Sequence, residues 1–187
     1  ARPDSAYSRD VRGAEGRVIG QVGEGNRKDI RNAVEAAQAA AGWQFSAGHL
    51  RAQILYYIAE NLAARADEFA TQIRRQTGQT AEAAAAEVEL AIERLFTYAA
   101  WADKYDGQVH HTPLRNVTIA MPEPLGVIGM ACPTEAPLLG FIALVAPAIA
   151  LGNTVVAIPS EAHPLGATDF SQVLDPSDLP AGVVNIV

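Results

Sequence analysis

Residues Glu123 to Val187 alternate between short apolar runs and helical segments, and few folds accept that order. Leu125-Gly126-Val127-Ile128-Gly129-Met130-Ala131 reads as a buried strand. Pro137 is placed to open a helix that runs to about Leu151, because the first helical turn has no partner for the N–H that proline lacks. Asn153 to Ile158 reads as a second strand, His163 to Leu174 as a second helix, and Gly182 to Val187 as a third strand. Strands alternating with helices build a parallel sheet with right-handed crossovers, here half of a Rossmann-like unit. Ligands in such sheets bind just beyond the carboxyl ends of the strands. The sequence stops on the third strand, which predicts a ligand site that is begun and not finished.

The first 106 residues are mostly helical. Within the polar, glycine-rich stretch 1–26, Gly16 to Val22 reads as one short strand. Helices are predicted over about Lys28–Ala41, Leu50–Arg65 and Asp67–Gln76, with Gly42 and Gly78 as stops. A longer helix starts near Thr80 and carries Val88, Ala91, Ile92, Leu95, Ala99 and Ala102 on one face. Alanine-rich helices bury little each, so they are expected to pack on a sheet rather than stand as a bundle. Asp106-Gly107 ends the helical pattern, and 107–121 reads as two strands joined by a turn. The expected organisation is one incomplete domain over 1–187: a short strand and helices at 1–106, a projecting hairpin at 107–121, and the β-α-β-α-β unit at 122–187.

Bulk properties exclude several classes. The 187 residues carry a net charge of -7 and no basic cluster, which argues against nucleic acid or an anionic membrane surface as partner. The almost uncharged stretch Leu138–Ile158 is broken by Pro147 and Gly152-Asn153, leaving about 14 helical residues where a bilayer span needs roughly 20. The one cysteine, Cys132, makes no internal disulfide, so a reducing cytoplasm is the expected compartment. Ala1 to Ser5 lead into no apolar run, so no signal peptide is expected, and a first residue other than Met points to a chain cut from a longer one.

Candidate chemistry sits at the strand ends. The first delivers Cys132-Pro133-Thr134-Glu135-Ala136-Pro137 and the second Pro159-Ser160-Glu161. Together with Glu123-Pro124-Leu125-Gly126-Val127, Ala146 to Val156 and Leu179-Pro180-Ala181-Gly182-Val183-Val184-Asn185, this order and spacing resembles the aldehyde dehydrogenase superfamily. The resemblance spans nearly the whole chain. It implies NAD(P)-dependent oxidation of aldehydes to acids, on a fold with cofactor, catalytic and oligomerisation parts. It also implies cofactor contacts at Pro133, Thr134, Ser160 and Glu161, with Glu161 accepting from the ribose hydroxyls.

Two positions depart from the family pattern. Glu135 stands where the family has the asparagine that donates to the oxyanion, and a carboxylate has no proton to give. Losing one such donor costs roughly 3–4 kcal/mol in the transition state. Ile158 stands where the family has a lysine at the cofactor's adenosine ribose. The family's catalytic cysteine and general-base glutamate fall beyond Val187, and Cys132 does not match the nucleophile's motif. These departures resemble the degenerate second copy of two-copy aldehyde dehydrogenases, so no catalytic residue is expected in this chain and cofactor binding is expected to be weak or absent.

Plainer readings stand beside these. Cys132 reads as a small buried residue, and Glu135 and Glu161 as carboxylates favoured in first helical turns. His110-His111 reads as a surface pair without the other ligands a metal needs. Trp43 and Trp101 are expected in the core, and the glutamates at 82, 87, 89 and 93 on a solvated face. Three functions stay open: the N-terminal part of an active aldehyde dehydrogenase, a noncatalytic copy kept for structure and self-association, and a stand-alone nucleotide-binding module.

Overall fold

The computed structural model describes residues 7–187; the stretch read above as lacking an apolar run, 1–6, lies outside them. The elements in chain order are β1 (Ser8–Arg12), β2 (Val18–Gly23), α1 (Arg27–Ala39), α2 (Gly48–Ala64), α3 (Ala66–Thr77), α4 (Ala81–Ala102), β3 (Gln108–His110) and β4 (Thr118–Ala120). The parallel unit follows as β5 (Val127–Ala131), α5 (Pro137–Ala150), β6 (Thr154–Ile158), α6 (Leu165–Asp169), α7 (Ser171–Leu174) and β7 (Val184–Ile186). The expected α/β class is observed, with helices around a three-stranded parallel sheet and a hairpin of β3 and β4 in a separate sheet.

The sheet runs β5-β6-β7, all parallel. β6 is central, and its residues Thr154 to Ala157 are buried. Val156 packs with Ala33 and Ala37 of α1 on one face. Val155 and Ala157 join the main core, with Phe141, Val145 and Ile149 of α5, on the other. Burial on both faces is why this strand reads as an unbroken apolar run. Among the described residues β5 stands at one end of the three-strand order and alternates between exposed and half-buried positions, where the sequence predicts a buried strand from Leu125. Leu125 is 90% exposed. The strand starts two residues later because Gly126, at φ +108°, turns the chain, and its N–H donates to Asn153 Oδ1 at 3.0 Å.

The helical layer packs mainly on itself. α2, α3 and α4 share one core through Leu55, Ile58, Leu62, Phe69, Ile73 and Leu95, and meet the sheet through α5. Among the described elements α1 and α5 make the main helix contacts with the parallel sheet, which corrects the expectation that all the early helices pack on it. Leu50 is 46% exposed, so the α2 stripe begins at Ile54. Trp43 is buried, and its indole N–H donates to the Ile149 carbonyl at 2.9 Å. Trp101 is 57% exposed and outside the core, because it lies off the α4 face that carries Val88, Ala91, Leu95 and Ala99.

Two further expectations change. The stretch 1–26 holds a second strand: β1 pairs antiparallel with β2, setting Arg9 opposite Val22. Its polar sequence, Ser-Arg-Asp-Val-Arg, buries only Val11 and so carries no alternation to read. The helix expected over His163–Leu174 is two short ones. Thr168 Oγ1 bonds back to the carbonyls of Pro164 and Leu165, and Ser171 Oγ to that of Thr168. Hydroxyls that bond back in this way compete with the backbone ladder and bend helices.

Candidate functional site

α5 presents its first turn to the loop that follows β5, so the positioning of that loop rests on how α5 is held. Its N-cap, Ala136, has no side-chain acceptor and sits at φ +47°. Pro137 removes one orphan donor, but the N–H groups of Leu138 and Leu139 remain. Both are taken by Glu87 Oε1 from α4, at 3.0 and 3.3 Å. Glu87 is only 6% exposed, so it does not belong to a solvated face. The glutamates at 82, 89 and 93 are exposed as expected. At the other end of α5, Arg51 Nε donates to the Ala150 carbonyl at 2.8 Å, beside the Trp43 bond to Ile149. Partial burial holds the Arg51 guanidinium below its ordinary range. An anion at the N-terminus and a cation at the C-terminus both complement the helix dipole.

The expected site residues divide into two groups. Ser160 Oγ lies 3.4 Å from Thr134 Oγ1, which joins the loops after β5 and β6. Ser160 is buried and accepts from the His163 N–H at 3.2 Å. Pro133 packs over Gly140, where a Cβ would come within 2.4 Å of the proline ring. Glu135 is exposed and makes no bond to α5; Glu87 takes the role of helix-terminal carboxylate that the sequence suggests for it. Glu161 is likewise no first-turn cap: Leu165 N–H of α6 is held by Gln76 Oε1 at 2.9 Å. Cys132 is half-buried, and desolvation pushes its thiol up to about 11. At neutral pH such a group is a thiolate in roughly one molecule in ten thousand, which leaves it inert as a nucleophile.

Beyond the carboxyl ends of β6 and β7 lies a cleft of about 650 Å³. Ile158, Ser160 and Glu161 line it together with Gln21 to Gly25 and Arg9. Ile158 is 47% exposed and gives the cleft an apolar surface. Among the described residues, Glu24, Asp29, Glu161, Asp169 and Arg9 line it. Burial raises the Asp169 carboxyl above its ordinary range, and Gln72 Nε2 donates to it at 3.1 Å. Asp29 is engaged in a capping box with Asn26. Asn26-x-x-Asp29 is a legible helix start, whereas no local signal marks Arg9 or Asp169 as cleft residues. Among the described residues no group of three or more His, Cys, Asp or Glu is placed to hold a metal, and His110 and His111 are both exposed.

A parallel sheet with helices on it and a cleft beyond its strand ends places this chain among the open α/β folds, in which ligands bind at the carboxyl ends of the strands. The comparisons are narrower: the aldehyde dehydrogenase family profile matches residues 3–187, and the chain belongs to that family. It is 35% identical to an aldehyde dehydrogenase of Agaricus bisporus, over 95% of this chain and 36% of that one. It is 37% identical to a hydroxyisobutyraldehyde dehydrogenase of Mycolicibacterium austroafricanum, over 92% of this chain and 34% of the relative. The structure of Staphylococcus aureus betaine aldehyde dehydrogenase in complex with NAD+ matches with a TM-score of 0.96 at 26% identity, covering 100% of this chain and 38% of that one. The chain thus spans about a third of the length of the relatives it matches.

Proposed function

We propose that this chain is the cofactor-side portion of an aldehyde dehydrogenase that oxidises no aldehyde by itself and serves in nucleotide holding and assembly. The observation that carries this reading is the state of its only thiol. Cys132 is half-buried, and desolvation pushes it up to about 11. Glu135, exposed at the entry to α5, offers a negative charge where acyl chemistry needs a donor.

The residues present fit the adenosine half of a nicotinamide dinucleotide. Glu161 offers a carboxylate acceptor for ribose hydroxyls, Ile158 an apolar surface, and Arg9 donor groups, all along one cleft. NAD(P), when bound, supplies the hydride acceptor for the family's reaction. Binding is weak, because Ile158 brings neither a donor nor a charge to the cleft beside Glu161. A cytoplasmic setting and self-association belong to the same reading. The support for self-association is the β3–β4 hairpin, where Val109 and Ile119 face each other across the ladder at 75% and 58% exposure.

A second reading makes the chain the N-terminal portion of an active NAD(P)-dependent enzyme. Its support is that relatives named for aldehyde oxidation are about three times as long as the part matched here. Glu135 and Ile158 favour the first reading, and with it an altered copy over an intact one. Incubating the chain with NAD or NADP and a panel of aldehydes, and following absorbance of the reduced cofactor, separates the two. The expected outcome is no signal above a protein-free control. Turnover that survives purification overturns the proposal.

A further inference from the structure

α4 ends at Ala102 and β3 begins at Gln108, and the short connector between them carries a reactive pair. Asp106-Gly107 is the only Asp-Gly in the sequence, which holds no Asn-Gly. Both residues lie outside any helix or strand, and Asp106 is exposed. The β3–β4 ladder starts one residue later, at Gln108 opposite Ala120, and no turn or loop bond among the described residues engages the Gly107 N–H. The Gly107 nitrogen is a nucleophile and the Asp106 side-chain carboxyl carbon an electrophile, and joining them closes a succinimide ring. Glycine has no Cβ to crowd that nitrogen and turns freely into the backbone angles the ring requires. A helix or strand would hold both the N–H and the dihedral angles; the connector imposes neither restraint. The other aspartates of the described residues are worse placed. Asp10 lies in β1, and Asp29, Asp67, Asp169 and Asp175 lie in helical segments. Asp103 and Asp178 precede Lys104 and Leu179, whose side chains crowd the attacking nitrogen. Gly107 itself is packed against β4: a Cβ there would come within 2.6 Å of the Ala120 carbonyl oxygen and 2.8 Å of Met121 Sδ. Main chain inserted just before it has no room to be absorbed at Gly107 and displaces the Gln108–Ala120 end of the ladder.

We propose that Asp106-Gly107 is a self-modification site of the folded protein, where a backbone succinimide forms and opens to an isoaspartyl linkage between α4 and the β3–β4 hairpin. The Gly107 nitrogen attacks Asp106 Cγ and forms a C–N bond. The carboxyl hydroxyl leaves with the proton of that nitrogen, as one water. A water then adds to either ring carbonyl. Addition at the side-chain carbonyl breaks the new bond and regenerates aspartate. Addition at the main-chain carbonyl breaks the original peptide bond, so the chain runs through Cβ and Cγ and a free α-carboxylate remains. No oxidant, reductant or other co-reactant enters, and the product has the mass and charge of the starting chain. Its main chain is longer by one carbon–carbon bond, about 1.5 Å. That added length falls at the base of the hairpin and changes how β3 leaves the helical layer.

The test is prolonged warm storage of the folded 187-residue chain in mildly acidic buffer, beside a sample kept unfolded in guanidinium chloride and beside the variant Asp106→Glu. Circular dichroism of the stored samples reports whether the fold is retained. Trypsin releases Tyr105 to Arg115, a peptide in which Asp106 is the only acidic residue. Its separation into two species of equal mass and shifted retention is expected. Electron-transfer fragmentation should place the isoaspartyl linkage at Asp106. Methyl transfer from labelled S-adenosylmethionine by an isoaspartyl carboxyl methyltransferase should rise in step. Asp106→Glu keeps the charge but needs a larger, slower-closing ring, so the new species should be lost. Conversion should run ahead of that at every other aspartate within residues 7–187. Amide exchange at Gln108 and Ala120 should be faster in the converted fraction. Absence of isoaspartate at Asp106 in the folded chain overturns the proposal. So does conversion confined to the unfolded sample, which would mean that the fold holds the connector against ring closure. Equal methyl transfer to Asp106→Glu would place the site elsewhere, and unchanged exchange at Gln108 and Ala120 would overturn the effect on the hairpin.

Discussion

Glu87→Ala tests how the loop after β5 is held. In the folded protein the Glu87 carboxylate accepts from one buried and one partly buried N–H group at the start of α5, at 3.0 and 3.3 Å. Nothing local replaces it, since the N-cap is alanine and the first helical residue is proline. A hydrogen bond to a charged group contributes roughly 1.5–3 kcal/mol, and the longer of the two belongs at the low end. Against this stands the desolvation of a carboxylate whose second oxygen, Oε2, meets no protein donor. The alanine variant leaves one buried and one partly buried N–H group unpaired and opens a small cavity, for a net loss of about 2–3 kcal/mol. With a urea slope of about 2 kcal/mol/M, the unfolding midpoint falls by about 1–1.5 M. Glu87→Gln keeps one acceptor and loses the charge, so its loss should be about half as large. The assay is urea unfolding followed by far-UV circular dichroism and by tryptophan fluorescence. The buried Trp43 reports on the far end of the same helix through its bond to Ile149. A midpoint shift below about 0.3 M for Glu87→Ala would refute the capping argument, because it would mean that water satisfies those N–H groups as well as the carboxylate does.

Two other outcomes follow from the described geometry. Replacing Val109 and Ile119 together by aspartate places two like charges opposite each other on an exposed β pair. Multi-angle light scattering should then show a smaller assembly than for the unaltered chain, and an unchanged mass counts against self-association through the hairpin. For Cys132, alkylation by iodoacetamide should be slow at pH 7–8 and rise steadily toward pH 11, because desolvation disfavours the thiolate in the folded state. The sign for stability is the same: the folded thiol holds its proton above the unfolded value of 9.0, so this contribution is present below pH 9 and is lost as pH rises toward 11. Rapid alkylation at pH 7 of the folded chain would contradict the burial argument.

Much of the fold is legible because its signals are short-range. The apolar run of β6 follows from burial on two faces, and the end of α5 follows from Gly152, whose φ of +84° only glycine adopts without strain. Helical spacing alone identifies the α4 face that carries Val88, Ala91, Leu95 and Ala99. β1 escapes this kind of reading because a two-stranded ribbon that buries one side chain, Val11, leaves no periodic trace. The split of α6 from α7 escapes it as well, since hydroxyls that bond back to carbonyls leave the apolar pattern unchanged.

The site divides along the same line. Sequence by itself determines that the run ending at Ile158 is followed by Pro159, Ser160 and Glu161, that no lysine stands at that strand end, and that Glu135 precedes the α5 start. It cannot tell a solvated glutamate from a buried one, because Glu82, Glu87, Glu89 and Glu93 look alike until the N-terminus of α5 docks against one of them, 51 residues away. Nor can it bring Arg9 to Glu161 across 152 residues. Both are decided by tertiary structure, and the reason is electrostatic. The partial charge at a helix end or on a carbonyl is generic to the backbone, and only the packing of distant elements selects which side chain answers it.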